Sequence, residues 1–335
     1  MQEELDPALL QGIEAHQVIH RRVSARGASY PLYLWSAVSA YRRMRDMGFR
    51  PDVMHAHVYG AGVPAALVAR RGRIPLVLTE HFSGVAERSL GRIEARKALF
   101  AYNSAARILP VSHFMGEAIR SYGVERPLEV VPNVVDRSVF FPAPGKTEPG
   151  AERRLLFVGN LEPSHVKGFP MLLRALGRLR ERRYDWRLDV IGDGTERLSH
   201  ERSTAELGLG EHVTFHGFRP KTFVAQAMRE ADVLVVASRV ETFGAVVAEA
   251  LVTGLPVVAT RVGGIPELVD ERSGRLVPPD DPLALADALD STLEGIDFFD
   301  SETIAASARD RFSLEVVGQQ LDRIYASVLA RSSAT

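Results

Sequence analysis

The sequence predicts an α/β protein made of two doubly wound, Rossmann-like parallel-sheet domains facing across a cleft. Three observations predict it. Short apolar runs alternate with longer helical stretches, the order expected when each strand is followed by a crossover helix. The alternation halts at a Pro- and Gly-rich stretch, FPAPGKTEPG at 141–150, and restarts at Arg154, which marks a linker. With 335 residues, the chain is long enough for two separate cores.

The first half opens on a strand candidate at 17–23 and a helix at 31–47 that Gly48 and Pro51 stop. Residues 52–58 read as a strand, Gly60-Ala61-Gly62 as a turn and 63–71 as a helix. The apolar strand 74–79 leads to Glu80-His81-Phe82-Ser83-Gly84, and 88–106 reads as one helix. A strand at 108–112, a helix at 113–122 and a last strand at 128–131 complete this half. The second half alternates strands at 154–159, 187–192, 213–216, 232–237, 256–260 and 276–278 with helices at 168–183, 196–207, 221–230, 243–253 and 282–293. Residues 314–330 form one more helix. The domains are therefore 1–145 and 151–312, and the helix at 313–330 is expected to pack back towards the first.

Composition narrows the function. An apolar share of 46% and a charged share of 25% are those of an ordinary soluble protein. A net charge of -1 gives no general nucleic-acid signal. Arginines do concentrate in the first half, at Arg42, Arg43, Arg45, Arg70, Arg71 and Arg73 and again at Arg88, Arg92 and Arg96. They fit solvated helix faces or a peripheral contact with anionic lipid. The absence of cysteine excludes disulfides and cysteine-ligated metals. The opening residues MQEELDPALL lack the basic and apolar regions of a signal peptide. No apolar run approaches the roughly 18 residues of a membrane span. The expected location is cytoplasmic, at most at the inner face of a membrane.

The most informative stretch is 238–251, SRVETFGAVVAEAL, where a strand runs into a helix with Glu241 at the junction and Glu249 eight residues on. Amides at the start of that helix, around Phe243 and Gly244, form a ready anion site. Eight helical residues advance about 12 Å, too far for the two acids to share one bond as paired glycosidase carboxylates do. They suit the two ends of one long ligand such as a nucleotide-sugar. A solvated helix face with a favourable first-turn charge accounts for the same spacing.

In open parallel sheets ligands bind beyond the carboxyl ends of the strands. That rule selects His57, His81, Gly159, Asp193, Gly217 and Glu241. His81 ends an apolar strand and opens a polar turn, a place suited to an acid, a base or a hydrogen-bond donor. His55, His57 and His81 could also bind zinc, although two alternate strand residues share a face whatever their role. Lys167 lies before Gly168 in a strand-to-helix loop, where it can reach a diphosphate or simply face solvent. No P-loop or Asp-x-Asp triplet occurs, so phosphate charge would fall to Lys167 and helix amides.

Together these pieces resemble the retaining GT-B glycosyltransferases of family 4, also called group 1. The resemblance runs from about His55 to Val277. It is strongest from Glu241 to Glu249, followed by Gly254-Leu255-Pro256-Val257-Val258-Ala259 and Gly263-Gly264-Ile265-Pro266-Glu267. Supporting pieces are His55-Ala56-His57, Thr79-Glu80-His81, Pro132-Asn133-Val134-Val135-Asp136, the segment Gly159 to Gly168, Gly192-Asp193-Gly194 and His216-Gly217-Phe218.

The resemblance implies that the second domain binds a nucleotide-sugar donor and the first presents a saccharide, lipid-linked or small-molecule acceptor. Glu241 would hold the sugar hydroxyls, Glu249 the ribose and Lys167 the diphosphate, with Phe243, Gly244, Gly159, Asn160, Gly217 and Phe218 around the donor. His81 would sit beside the reacting carbon, and His57 and Gly60 would lie on the acceptor side. Transfer would retain the anomeric configuration and need no metal or other cofactor. Two departures stand out. Asn160 occupies the place where the family often carries an arginine. Nothing before Gly60 looks like the family's opening strand and glycine-rich loop, so the first domain reads as incomplete. A nucleotide-sugar binder with impaired catalysis is the alternative that follows.

Overall fold

The structure, a computed structural model, describes residues 29–143, 152–163 and 166–332. The strand candidate at 17–23 and residues 144–150 of the linker lie outside the described residues. The first half comprises α1 (Ser29–Asp46), β1 (Met54–His57), α2 (Val58–Gly72), β2 (Leu76–Glu80), α3 (Ser83–Ala86), α4 (Arg92–Ser104), β3 (Arg107–Pro110) and α5 (His113–Ser121). Its three strands lie in the order β1-β2-β3, all parallel, with Ala56 opposite Leu78 and Leu78 opposite Ile108.

Three elements differ from the sequence expectation. Gly60-Ala61-Gly62 is not a turn but lies within the first turns of α2, because the chain reverses at Val58, which takes a φ of 58°. Gly62 is small for packing: a Cβ there would stand 2.9 Å from Leu78 Cδ1 and 3.0 Å from the Ala101 methyl. The single helix expected at 88–106 is broken into α3 and α4, with Arg88 at a φ of 55° in the gap. Residues 128–131 run beside β3, and Glu129 N–H and Val131 N–H donate to the carbonyls of Ile108 and Pro110, at 3.0 Å each. They form only an isolated bridge, Ile108 with Leu128. Pro127 and Pro132, which lack an amide hydrogen, bound the segment and keep it from extending the ladder.

The second half contains β4 (Arg153–Val158), α6 (Phe169–Arg180), β5 (Trp186–Ile191), α7 (Arg197–Glu206), β6 (Val213–Gly217), α8 (Lys221–Glu230), β7 (Val233–Val236), α9 (Ala245–Val252), β8 (Val257–Thr260) and β9 (Gly274–Val277), followed by α10 (Pro282–Glu294). Its six parallel strands lie in the order β6-β5-β4-β7-β8-β9. This is the doubly wound order in which winding reverses between the first and fourth strands, here β4 and β7. Every residue of β7 and β8 is buried, as required of strands covered on both faces.

Two helices close the chain. The first, α11 (Ser301–Phe312), was not expected; its start is set by Asp300, whose carboxylate accepts from Thr303 N–H at 3.0 Å. The second, α12 (Leu314–Ser332), lays Val317, Ile324 and Val328 against Val77, Leu109 and Val131 of the first half. Gln320 Nε2 donates to the Val130 carbonyl at 2.8 Å. The carboxyl ends of the two sheets meet at a small polar contact. Ser112 Oγ, just past β3, donates to the Thr242 carbonyl, just past β7, at 2.6 Å. Glu267 accepts from the first two amides of α5, His113 and Phe114, at 2.8 Å each.

Gly263 packs against the backbone of Glu241: it has a φ of 55°, and a Cβ there would lie 1.6 Å from the Glu241 carbonyl oxygen. Gly177, inside α6, has open space around it. Gly263→Ala is therefore expected to cost more than about 2 kcal/mol of stability, while Gly177→Ala gains roughly 0.5–1 kcal/mol. Urea midpoints of the two variants check this contrast.

Candidate active site

The switch point between β4 and β7 carries the centre of the site. Lys167 Nζ lies 2.6 Å from Glu241 Oε1, and Ser238 Oγ donates to the same oxygen at 2.9 Å. The Glu241 side chain is 14% exposed and that of Lys167 32%, so the pair is screened from solvent without being sealed from it. Phe157, Val158, Ser238, Gly244, Ala245 and Val246 line a cavity of about 90 Å³ with them. The stem of Lys167 crosses Gly159, where a Cβ would stand 3.2 Å from its Cγ. Gly168 follows at a φ of 66° and starts α6.

Glu241 precedes the helix rather than opening it. Residues 241–244 are non-helical, Gly244 turns the chain at a φ of 98°, and α9 begins at Ala245. The helical spacing drawn from Glu241 to Glu249 thus applies only to its second part. The amides of Ala245 and Val246 occupy the first turn, where no intrahelical acceptor exists. Phe243 contributes backbone alone, since its ring is 3% exposed and packs edge-on to Phe312 at 5.7 Å.

Glu249 sits on α9, half-buried, and its carboxylate has no hydrogen-bond partner among the described residues. Burial pushes its pKa up to about 7, against a smaller opposing pull from Lys221. A carboxylate so placed is stabilised by any ligand that offers it hydroxyl donors. Around the same strand ends, Asn160 is exposed beyond β4, Gly217 is buried at a φ of 70°, and the Phe218 ring is 80% exposed.

The first half contributes a histidine pair. His57 ends β1 and His81 follows β2; both are exposed, with ring centroids 6.1 Å apart. Burial, and then the charge of His81, lower the His57 pKa. His55 stacks on His57 at 4.7 Å but is committed elsewhere: Nδ1 lies 2.6 Å from the Tyr325 hydroxyl and Nε2 2.8 Å from Thr79 Oγ1. With neither ring nitrogen free, the three-histidine zinc reading fails. Among the described residues no group of three or more His, Cys, Asp or Glu is placed to hold a metal ion. Gly60 lies in the first turns of α2 with open space where a side chain would be.

The sequence placed Glu80 in a supporting motif without indicating a role for it. It is fully buried and accepts four hydrogen bonds, from the amides of His81 at 3.0 Å, Phe82 at 2.9 Å and Tyr59 at 2.9 Å and from the Tyr102 hydroxyl at 2.8 Å. Burial raises its pKa and these donors pull it back. An acid closing the apolar run Leu76–Glu80 is the signal that could have revealed it.

Fold and site define a two-domain enzyme of the GT-B type, with paired parallel sheets joined at their carboxyl ends. The Glycosyltransferase Family 4 model matches residues 4–139 and the glycosyl transferases group 1 model residues 152–295. D-inositol 3-phosphate glycosyltransferase of Xylanimonas cellulosilytica is 31% identical over 314 residues, 84% of this chain and 73% of that one. The chain belongs to the group 1, family 4 glycosyltransferases. Its fold is similar to sucrose-phosphate synthase from Thermosynechococcus elongatus, with a TM-score of 0.79, 22% identity, and coverage of 94% of this chain and 82% of that one. It is also similar to Anabaena HepE solved with UDP and glucose, with a TM-score of 0.77, 23% identity, and coverage of 96% and 88%.

The Glu249 pKa predicts a stability signature. Between its ordinary value of 4.5 and about 7, the folded protein keeps a proton that the unfolded chain has lost. Stability contributed by this group is thus complete below pH 4.5 and falls as pH rises to 7, by on the order of 2 kcal/mol. Glu249→Gln should flatten that segment of the stability–pH curve, as read by denaturant unfolding at several pH values.

Proposed function

We propose that this glycosyltransferase moves a hexosyl group from a nucleotide-diphosphate sugar to a hydroxyl acceptor, with retention of configuration and without a metal ion. One observation carries the reading: a lysine, a carboxylate and a helix start converge at the switch point, with an unpartnered carboxylate farther along α9. The solved HepE complex with UDP and glucose, and the relative that acts as a D-inositol 3-phosphate glycosyltransferase, support a nucleotide-sugar donor and a hydroxylated acceptor.

In this reading the ribose hydroxyls donate to Glu249, the diphosphate lies against the start of α9, and Glu241 accepts from the sugar hydroxyls. Lys167 turns from Glu241 to the diphosphate when the donor arrives. As the bond from the anomeric carbon to the phosphate oxygen breaks, negative charge grows on the leaving diphosphate, which Lys167 and the amides stabilise. The acceptor oxygen bonds to the anomeric carbon from the face that the phosphate leaves, and its proton passes to a phosphate oxygen. His81 hydrogen-bonds the sugar beside the reacting carbon, and His57 and Gly60 border the acceptor. Asn160, Gly159, Gly217 and Phe218 enclose the donor from the β4 and β6 sides.

A nucleotide-sugar panel in thermal unfolding tests the donor class. The correct donor at a hundred times its Kd should add about 2.7 kcal/mol of stability. Glu249→Ala should weaken its binding about 10- to 100-fold, and Lys167→Ala should lower kcat about 100- to 1,000-fold. A protein stabilised by no nucleotide-sugar contradicts the reading. Donor binding without transfer to any acceptor extract supports a binding protein instead.

The same reading includes a peripheral membrane contact. No helix among the described residues is long and apolar enough to cross a membrane. Arg42, Arg43 and Arg45 near the end of α1 and Arg70, Arg71 and Arg73 at the end of α2 are exposed, and none forms an ion pair among the described residues. Tyr41 lies beside Gly72, which brings the two clusters together, and Trp35 on α1 is 65% exposed. Such a face suits an anionic lipid surface. The protein should co-sediment with phosphatidylserine-rich vesicles at low salt and not with phosphatidylcholine alone, and replacing Arg42, Arg43 and Arg45 by Glu should abolish the difference.

A further inference from the structure

Glu80 stands apart from the donor clamp: it is fully buried at the end of β2 and accepts more hydrogen bonds than any other carboxylate among the described residues of the first half. A buried ionised carboxylate is tolerated only when its lone pairs are satisfied. Here the two oxygens divide their partners by segment. Oε1 takes the amides of His81 and Phe82, both in the turn after β2. Oε2 takes the amide of Tyr59, in the first turn of α2, together with the Tyr102 hydroxyl from α4. Each segment carries one member of the exposed histidine pair: His57 immediately precedes α2, and His81 lies in the turn itself.

Val58, between His57 and Tyr59, is a β-branched residue at a φ of 58°. Such residues avoid the left-handed region, and one persists there only where its surroundings hold it. The bond from Tyr59 N–H to Glu80 is the restraint directly beside it.

We propose that Glu80 is a positioning residue for the transfer reaction. Its carboxylate clasps the start of α2 to the turn after β2, holds Val58 in its unfavourable conformation, and thereby sets the separation between His57, on the acceptor side, and His81, beside the reacting carbon. The inference rests on the proposed reaction for its kinetic consequence alone; the clasp itself is read without activity.

The test uses the full chain with Glu80→Gln. A glutamine has one oxygen, so it can serve one segment while its amide group turns donors towards the other. Amide hydrogen exchange at Tyr59, His81 and Phe82 should quicken by about tenfold or more in at least one segment. The kcat should fall about 10- to 100-fold as the pair loses register, while the donor KM, set mainly by Glu241, Glu249 and Lys167 in the other half with His81 as one contact, rises by no more than about threefold. Adding Val58→Gly to Glu80→Gln should restore part of kcat, because glycine holds that φ without a restraint. Exchange and kcat both at wild-type levels in folded Glu80→Gln would overturn the proposal. So would a donor KM that rises in step with the loss of kcat, since that marks general loosening, and so would the absence of rescue by Val58→Gly. If Glu80→Gln does not fold, Tyr102→Phe removes a single donor and should give a smaller change in the same direction; unchanged exchange and kcat there also overturn it. A wild-type protein that turns over no nucleotide-sugar refutes the reaction and leaves the exchange arm to decide the clasp.

Discussion

The contact on which the site depends is the ion pair of Lys167 and Glu241 at the point where sheet winding reverses. Neither residue could meet the other on one local element; they are 74 positions apart. They meet because β4 and β7 are adjacent parallel strands, so the loops after them leave the sheet side by side. Fold topology thus supplies a cation and an anion at 2.6 Å in a partly screened cavity. A salt bridge in such surroundings is weak evidence of stability. In the proposed reaction it keeps Lys167 beside the helix start until the donor diphosphate replaces Glu241.

The second half was legible in the sequence because its signals are local. Fully buried strands such as β7 and β8 read as unbroken apolar runs, and α8 begins and ends where its pattern does. Glu241 stood out because ligands bind beyond strand ends in an open parallel sheet, Glu249 by its spacing along the next helix and Lys167 by its place before a helix-starting glycine. The partial failure within this stretch, the helical spacing from Glu241, came from the turn at Gly244. A positive φ at glycine delays a helix without changing the apolar pattern that predicts it.

The first half was less legible because its decisive interactions are distant. Val58 reverses the chain at an unfavourable φ, so the glycines behind it looked like a turn while one serves close packing against Leu78 and Ala101. Glu80 reads as a polar residue closing a strand, and nothing in its neighbours reveals that Tyr59 and Tyr102 converge on it. His55 looked available for a metal until α12, which follows it by more than 250 residues, brought Tyr325 to its ring. The joint between the halves was equally hidden: Ser112 and Glu267 are a helix cap and a polar residue until folding sets each against the other half.

Three carboxylates therefore divide the labour proposed for this enzyme, Glu241 and Glu249 with Lys167 on the donor side and Glu80 behind His57 and His81. A crystal structure with a bound UDP-sugar or a related donor would show whether the switch point of the second sheet holds the nucleotide-sugar. Ribose hydroxyls should lie on Glu249, a sugar hydroxyl on Glu241, and Lys167 Nζ should have moved from Glu241 to the diphosphate. A donor bound in the groove of Arg154, Asp189 and His216 between α8 and the β5–β6 edge, with the Lys167–Glu241 pair intact, would contradict this placement.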